Sequence, residues 1–182
     1  MEKGEPMEDW NIVYQRGSAS DTSRDLRRRI SEELENGMAN SSHSWTVVFS
    51  IGMNDCGISG GDYEVSKTEY RENVEEIIDK ASHLADQVIA VGLSPVDEEE
   101  LADNQEASEY LNSGVREYEE TLEKACSRKG VKFVPTFDSL AEGKSWNQKL
   151  FDGLHPNTRG HQEIYEIVGE PIKSELEFEY SR

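Results

Sequence analysis

The chain has 182 residues, enough for one domain with a full hydrophobic core and too few for two comfortable ones. Its 38 acidic against 19 basic residues leave a net charge of −19, a field that disfavours both nucleic acid and anionic membrane as partners. No apolar run approaches the roughly 20 residues needed to cross a bilayer, and the acidic start from Met1 to Trp10 is no secretory signal, so a cytoplasmic protein is expected.

In chain order, Asn11–Tyr14 reads as a short strand. Residues 21–36 carry Leu26, Ile30 and Leu34 on one helical stripe, with Gly37 as the expected stop. Trp45–Ile51 is a nearly continuous apolar run, which predicts a strand buried on both faces. Tyr70, Val74, Ile77, Ile78, Ala81 and Leu84 mark the next helix. Gln87–Leu93 is a second buried strand, ended by Ser94-Pro95. Tyr110, Leu111, Val115, Tyr118, Leu122 and Ala125 set a long helix, followed by a turn at Gly130 and a strand over Val131–Val134. The last helix uses Ile164, Tyr165, Ile167, Val168 and Ile172, with a break or kink expected at Pro171. Residues 53–65 and 137–159 are the long loops.

Strand–helix alternation with doubly buried strands implies an α/β fold, a parallel sheet between two helical layers. Ligands then bind beyond the carboxyl ends of the strands, in the loops after Ile51, Leu93 and Val134.

Composition adds a little more. The acids are scattered over helices, a surface that suits a high-salt cytoplasm as well as an ordinary acidic cytosolic protein. Cys56 and Cys126 have no CxxC partner and are expected reduced, as small buried residues or idle surface thiols. Arg27, Arg28 and Arg29 spread over about 200° of a helix, so they read as a solvated face paired with acids such as Glu32 and Glu33. His43 and His83 have no motif around them.

Two segments can carry chemistry. Gly52-Met53-Asn54-Asp55 follows a buried strand, where an asparagine amide can reach across the sheet top to an oxyanion, worth about 3 kcal/mol. It can equally be a turn residue satisfying its own backbone. Asp152-Gly153-Leu154-His155-Pro156-Asn157 places an acid and an imidazole three residues apart. The carboxylate can fix one ring nitrogen and leave the other as general base. The alternative is a plain turn before a helix capped by Asn157 or Thr158. A metal site from Asp152, His155 and His161 is weaker, because His161 falls within the last helix.

Together the two motifs, about 100 residues apart, resemble blocks III and V of the SGNH/GDSL hydrolase family, and the likeness runs over residues 11–170. The resemblance implies a three-layer α/β/α domain with a parallel, flavodoxin-like sheet, here spanning 1–182 with an atypical N-terminus over 1–10. It implies an esterase or lipase-like acylhydrolase acting on a small-molecule ester by acyl transfer, with no cofactor and no metal. Residue by residue, Asn54 corresponds to the oxyanion donor, Asp152 to the orienting carboxylate and His155 to the general base. In block II, Ser20 stands where a glycine N–H completes the oxyanion hole, and Gln15 replaces an asparagine; Ser20 reads equally as an N-cap.

The family's nucleophile lies in a Gly-Asp-Ser segment after a first, central strand, and no Gly-Asp-Ser occurs in this sequence. Phe137-Asp138-Ser139-Leu140 follows the wrong strand. Four strands are countable where the family has five, so the first strand is expected to be missing, by an N-terminal shortening rather than a rearranged sheet. Ser18, Ser20, Ser50 and Cys56 are poor substitutes. A catalytically inactive binding domain or a non-functional fragment is the alternative. Oligomeric state is not legible.

Overall fold

A computed structural model describes residues 12–38, 44–103, 109–143 and 145–179. Asn11, His43 and the first ten residues lie outside that range. The elements run α1 (Ser23–Met38), β1 (Thr46–Phe49), β2 (Ile58–Ser59), β3 (Asp62–Tyr63), α2 (Lys67–Leu84), β4 (Gln87–Val91), α3 (Glu98–Asp103), α4 (Asn112–Lys129), β5 (Lys132–Val134), α5 (Phe137–Ala141), a 3₁₀ turn over Asn147–Lys149, and α6 (Thr158–Glu179). Three strands form one parallel sheet in the order β1-β4-β5, with Val47 opposite Val88, Phe49 opposite Ala90, and Ala90 opposite Phe133. The fold is the expected α/β arrangement of parallel strands and helices.

Side chains alternate across a strand, so the two faces of the sheet separate cleanly. Val47, Phe49, Val88 and Ala90 turn toward α1, α2 and α4, where Tyr70, Ile77, Tyr118 and Leu122 are fully buried. Val48 and Ile89 turn the other way. On that side lies α6, whose Glu175 accepts from Gln87 Nε2 at 3.2 Å and meets Lys132 Nζ at 3.0 Å. This second layer is thin: Ile164 and Ile167 pack only partly, against Leu140, Trp146 and Leu150, and Tyr165 is exposed.

Local chemistry explains most boundaries. At the start of α1, Thr22 donates from both its N–H (3.0 Å) and its hydroxyl (2.7 Å) to Asp25, while its carbonyl opens the helix. Ser66 caps α2 by accepting from Glu69 N at 3.3 Å. Gly130 ends α4 at φ 67°.

Four expectations need correction. Residues 12–14 form no strand: Val13 is 91% exposed and Tyr14 stacks on Trp45 at 5.6 Å instead. A strand needs a ladder for its N–H and C=O groups, and among the described residues nothing pairs with β1 on the side away from β4. For the same reason the run around β1 is not buried on both faces; Phe49 is buried but Val48 is 46% exposed. The first helix passes through Gly37 to Met38. The last helix continues through Pro171, because it is only half-buried there and water can take the bond that proline cannot make. The hairpin β2–β3 and the short helices α3 and α5 went unseen within the loops; two-residue strands and single helical turns carry too little periodicity to read.

Candidate active site

The loop after β1 is shaped by Gly52, at φ 134°, where a Cβ would lie 2.7 Å from the Tyr70 hydroxyl. Tyr70 donates to Ile51 O at 2.8 Å, and Cys56 N closes the turn on Gly52 O at 3.0 Å. Asn54 then reaches sideways. One of its amide hydrogens is given to Asp21 O at 2.8 Å, leaving the second for another acceptor.

Beside it Asp55 is wholly buried. Both carboxylate oxygens accept from Ser23 N at 3.0 Å, and Oδ1 also accepts from the Ser23 hydroxyl. Asn73 Nδ2 donates to that hydroxyl at 2.8 Å, while Asn73 Oδ1 has no partner among the described residues. Burial raises the Asp55 carboxyl above its ordinary value, and the Ser23 bonds pull the other way. Asp55 and Asn54 thus tie the loop after β1 to the first turn of α1.

That tie sets the position of Ser20, three residues before α1. Its φ is +64°, the left-handed region that favours glycine. The N-cap reading fails, since Thr22 opens the helix. The Ser20 N–H donates to no described residue, so it is available beside Asn54, and both residues line one cavity of about 560 Å³.

The second group stands on the loop between the 3₁₀ turn and α6. Asp152 Oδ2 lies 2.8 Å from His155 Nδ1, and Oδ1 accepts from His155 N (2.8 Å) and Leu154 N (3.1 Å). Burial acts to raise the Asp152 carboxyl, but these bonds outweigh it and hold it below its usual value. With Nδ1 engaged, Nε2 of His155 is the free ring nitrogen, on a side chain 71% exposed. The turn-before-helix alternative is realised as well: Asn157 Oδ1 accepts from Arg159 N and Gly160 N.

Glycine is required inside this loop. Gly153 has φ 82°, and a Cβ there would lie 3.2 Å from Asp97 O. Its own carbonyl accepts from Asp97 N at 2.8 Å, which fastens the His155 loop to the segment after β4. That segment is held in turn by Trp146 Nε1 on Pro95 O (2.7 Å) and by Glu119, whose carboxylate accepts from Leu93 N and Phe137 N. Asn54 follows β1 and the His155 loop hangs on the residues following β4. In a parallel sheet both therefore stand at the carboxyl end, although neither Asp152 nor His155 lines the Asn54 cavity.

The substitute nucleophiles are poorly placed. Burial pushes the Cys56 thiol up to about 12, and Sγ–H is given to Met53 O. Ser50 donates to Gly92 O at 3.0 Å. Ser139 lies on α5, whose Asp138 pairs with Arg116. His161 sits in the first turn of α6.

Sequence reasoning missed Asp55, Ser23, Asn73 and Glu119. Only Glu119 left a legible signal, as an acid at i+4 from Val115 and three before Leu122 on the buried stripe of α4.

A sequence model of the GDSL-like lipase/acylhydrolase family matches residues 5–163. An isoamyl acetate-hydrolyzing esterase of Saccharomyces cerevisiae is 27% identical over 170 residues, covering 86% of this chain and 68% of that protein. Among solved structures, a lipase/acylhydrolase from Enterococcus faecalis superposes with a TM-score of 0.69 at 19% identity, over 86% of this chain and 72% of that one. A catalytic mutant of an acetylxylan esterase from Geobacillus stearothermophilus gives 0.61 at 17%, over 82% and 66%. A match that takes in both the Asn54 loop and the Asp152–His155 turn, on a fold these enzymes share, makes this chain a member of the GDSL-like lipase/acylhydrolase family.

Proposed function

We propose that the protein hydrolyses small-molecule acyl or acetyl esters through a serine nucleophile carried on a strand that precedes residue 1 of this sequence and lodges against the open edge of β1. His155 Nε2 takes the serine proton as the hydroxyl attacks the ester carbonyl. Asp152 holds the imidazole by Nδ1 and stabilises the imidazolium that forms. The free hydrogen of Asn54 and the N–H of Ser20 bind the oxyanion of the tetrahedral intermediate. His155 then protonates the departing alcohol, and water attacks the acyl-serine with the same base, releasing the acid.

The observation that carries this reading is the Asp152–His155 contact at 2.8 Å, with every other bond to that carboxylate coming from the backbone of its own turn. Further support comes from the side of β1 that pairs with nothing among the described residues, from the exposed Val48 on that strand, and from the ester substrates named for the yeast and Geobacillus proteins. A second reading, an inactive binding domain, is favoured by one observation: no Gly-Asp-Ser lies in the sequence, and Ser50 and Cys56 are engaged elsewhere.

Labelling separates the two. A fluorophosphonate probe should mark a form extended through an upstream, in-frame Gly-Asp-Ser strand and leave the 182-residue chain unmarked. The absence of such codons upstream of Met1, or labelling of the 182-residue chain itself, would overturn the proposal.

A further inference from the structure

The run from Leu93 to Asp97 leads from the end of β4 to the turn that carries His155. At the sheet end Leu93 is fixed by Glu119 on its N–H and by the Thr136 hydroxyl on its carbonyl at 2.8 Å. At the far end Asp97 N donates to Gly153 O at 2.8 Å, the bond that anchors the turn. Between them Val96 is 3% exposed, so its backbone groups are shut off from water and need partners within the protein.

One side chain supplies both. Val96 N donates to Asn112 Oδ1 and Asn112 Nδ2 donates to Val96 O, each at 2.9 Å. A carboxamide carries a donor and an acceptor side by side, as a peptide group does, so Asn112 holds Val96 as a rung of a ladder would. Asn112 is the first residue of α4, whose start has no side-chain cap, so this carboxamide serves the neighbouring segment rather than its own helix. Its backbone N also donates to Glu98 Oε1 at 2.6 Å. Both neighbours of Asp97 are therefore bonded to Asn112, and the amide between them is the one that Gly153 accepts. The approach is close: a Cβ on Gly153 would lie 3.2 Å from Asp97 O.

We infer that Asn112 is a positioning residue for the general base: by gripping Val96 and Glu98 it aims the Asp97 N–H at Gly153 O and so fixes the Asp152–His155 turn at the carboxyl end of the sheet. Its value to catalysis rests on the hydrolase reading. The coupling from Asn112 to His155 does not, and it can be measured without turnover.

The test compares amide hydrogen exchange and the His155 ring tautomer, both by NMR, in the ¹⁵N-labelled 182-residue chain and its Asn112→Ala variant. Expected is exchange faster by about tenfold or more at Asp97, Leu154 and His155, whose amides hold the turn, with Leu93 unchanged because Glu119 still holds it. The share of His155 with its proton on Nδ1 should fall as the Asp152 contact loosens. If Asn112→Ala does not fold, Asn112→Asp, which keeps an acceptor for Val96 N–H and suits a helix start, reads the same pattern. Faster exchange at Val96 alone would reduce Asn112 to a partner for one buried residue. That result, or exchange accelerated equally at every amide, Leu93 included, would overturn the inference. In an extended form active on p-nitrophenyl acetate, Asn112→Ala should lower kcat by about tenfold with KM little changed. An inert extended form would count against the hydrolase reading and leave the exchange result standing.

Discussion

Ser20 shows how one residue can hold strain in the backbone. A non-glycine residue at φ +64° carries roughly 1 kcal/mol of strain, and its N–H is left unbonded next to Asn54. Ser20→Gly should therefore keep the fold and raise stability by up to about 1 kcal/mol, measured by urea denaturation. A loss of stability would mean that the serine hydroxyl is needed. Asp55 is the stronger case. Removing its carboxylate leaves the Ser23 N–H and hydroxyl buried without acceptors, so Asp55→Ala should cost about 2–4 kcal/mol in the same measurement. Glu119 links stability to pH. Burial raises its carboxyl, so the folded chain holds that proton more tightly than the unfolded chain does. Its contribution to stability therefore rises as pH falls from neutrality through the raised folded value, and levels off near the unfolded carboxylate range. Glu119→Gln should remove that part of the pH dependence; a mutant whose stability keeps a constant offset from the parent between pH 7 and about 4.5 would contradict it. Asn54, Asp152 and His155 could be singled out as candidates in the sequence because each stands in a loop beside a strand or helix with a distinctive neighbour. Asp55 and Asn73 could not, since their partner Ser23 is 32 and 50 residues away and nothing local marks the contact.

At the scale of elements, β1 is the anomaly. Its apolar sequence reads as a central strand, and among the described residues it stands at the edge of the sheet. The helices and β4 were legible because period and burial agree there: Val88, Ile89 and Ala90 are all buried, as a doubly covered strand requires. The reading of 12–14 as a strand failed because a strand is defined by its neighbour, and its neighbour is not among the described residues. The physical consequence is measurable. Parallel pairing on one side satisfies only alternate amides of β1, so hydrogen exchange should show about half of Thr46–Phe49 poorly protected and Val88–Ala90 well protected. In an extended form with a strand in place, the unprotected half of β1 should become slow. Full protection of β1 in the 182-residue chain would show that its outer edge is already covered.

For the whole molecule, the net charge of −19 and the open sheet edge act in different ways. Repulsion among 38 acids weakens the compact state and is screened by salt, with a Debye length near 3 Å at 1 M. The melting temperature should therefore climb by several degrees between about 0.05 and 1 M NaCl, as followed by circular dichroism; a fall would mean that the exposed ion pairs on α1, α2 and α4 outweigh the repulsion. No helix among the described residues is long and apolar enough to cross a membrane. The family, the parallel sheet and the Asp152–His155 contact are in place; the proposed nucleophile is not in the sequence. Turnover of p-nitrophenyl acetate tests that division most directly, using the 182-residue chain, a form extended through an upstream Gly-Asp-Ser strand, and His155→Ala in that form. Expected is hydrolysis by the extended form alone, reduced about 10³-fold or more by His155→Ala. His155-dependent turnover by the 182-residue chain, or an inert extended form, would contradict it.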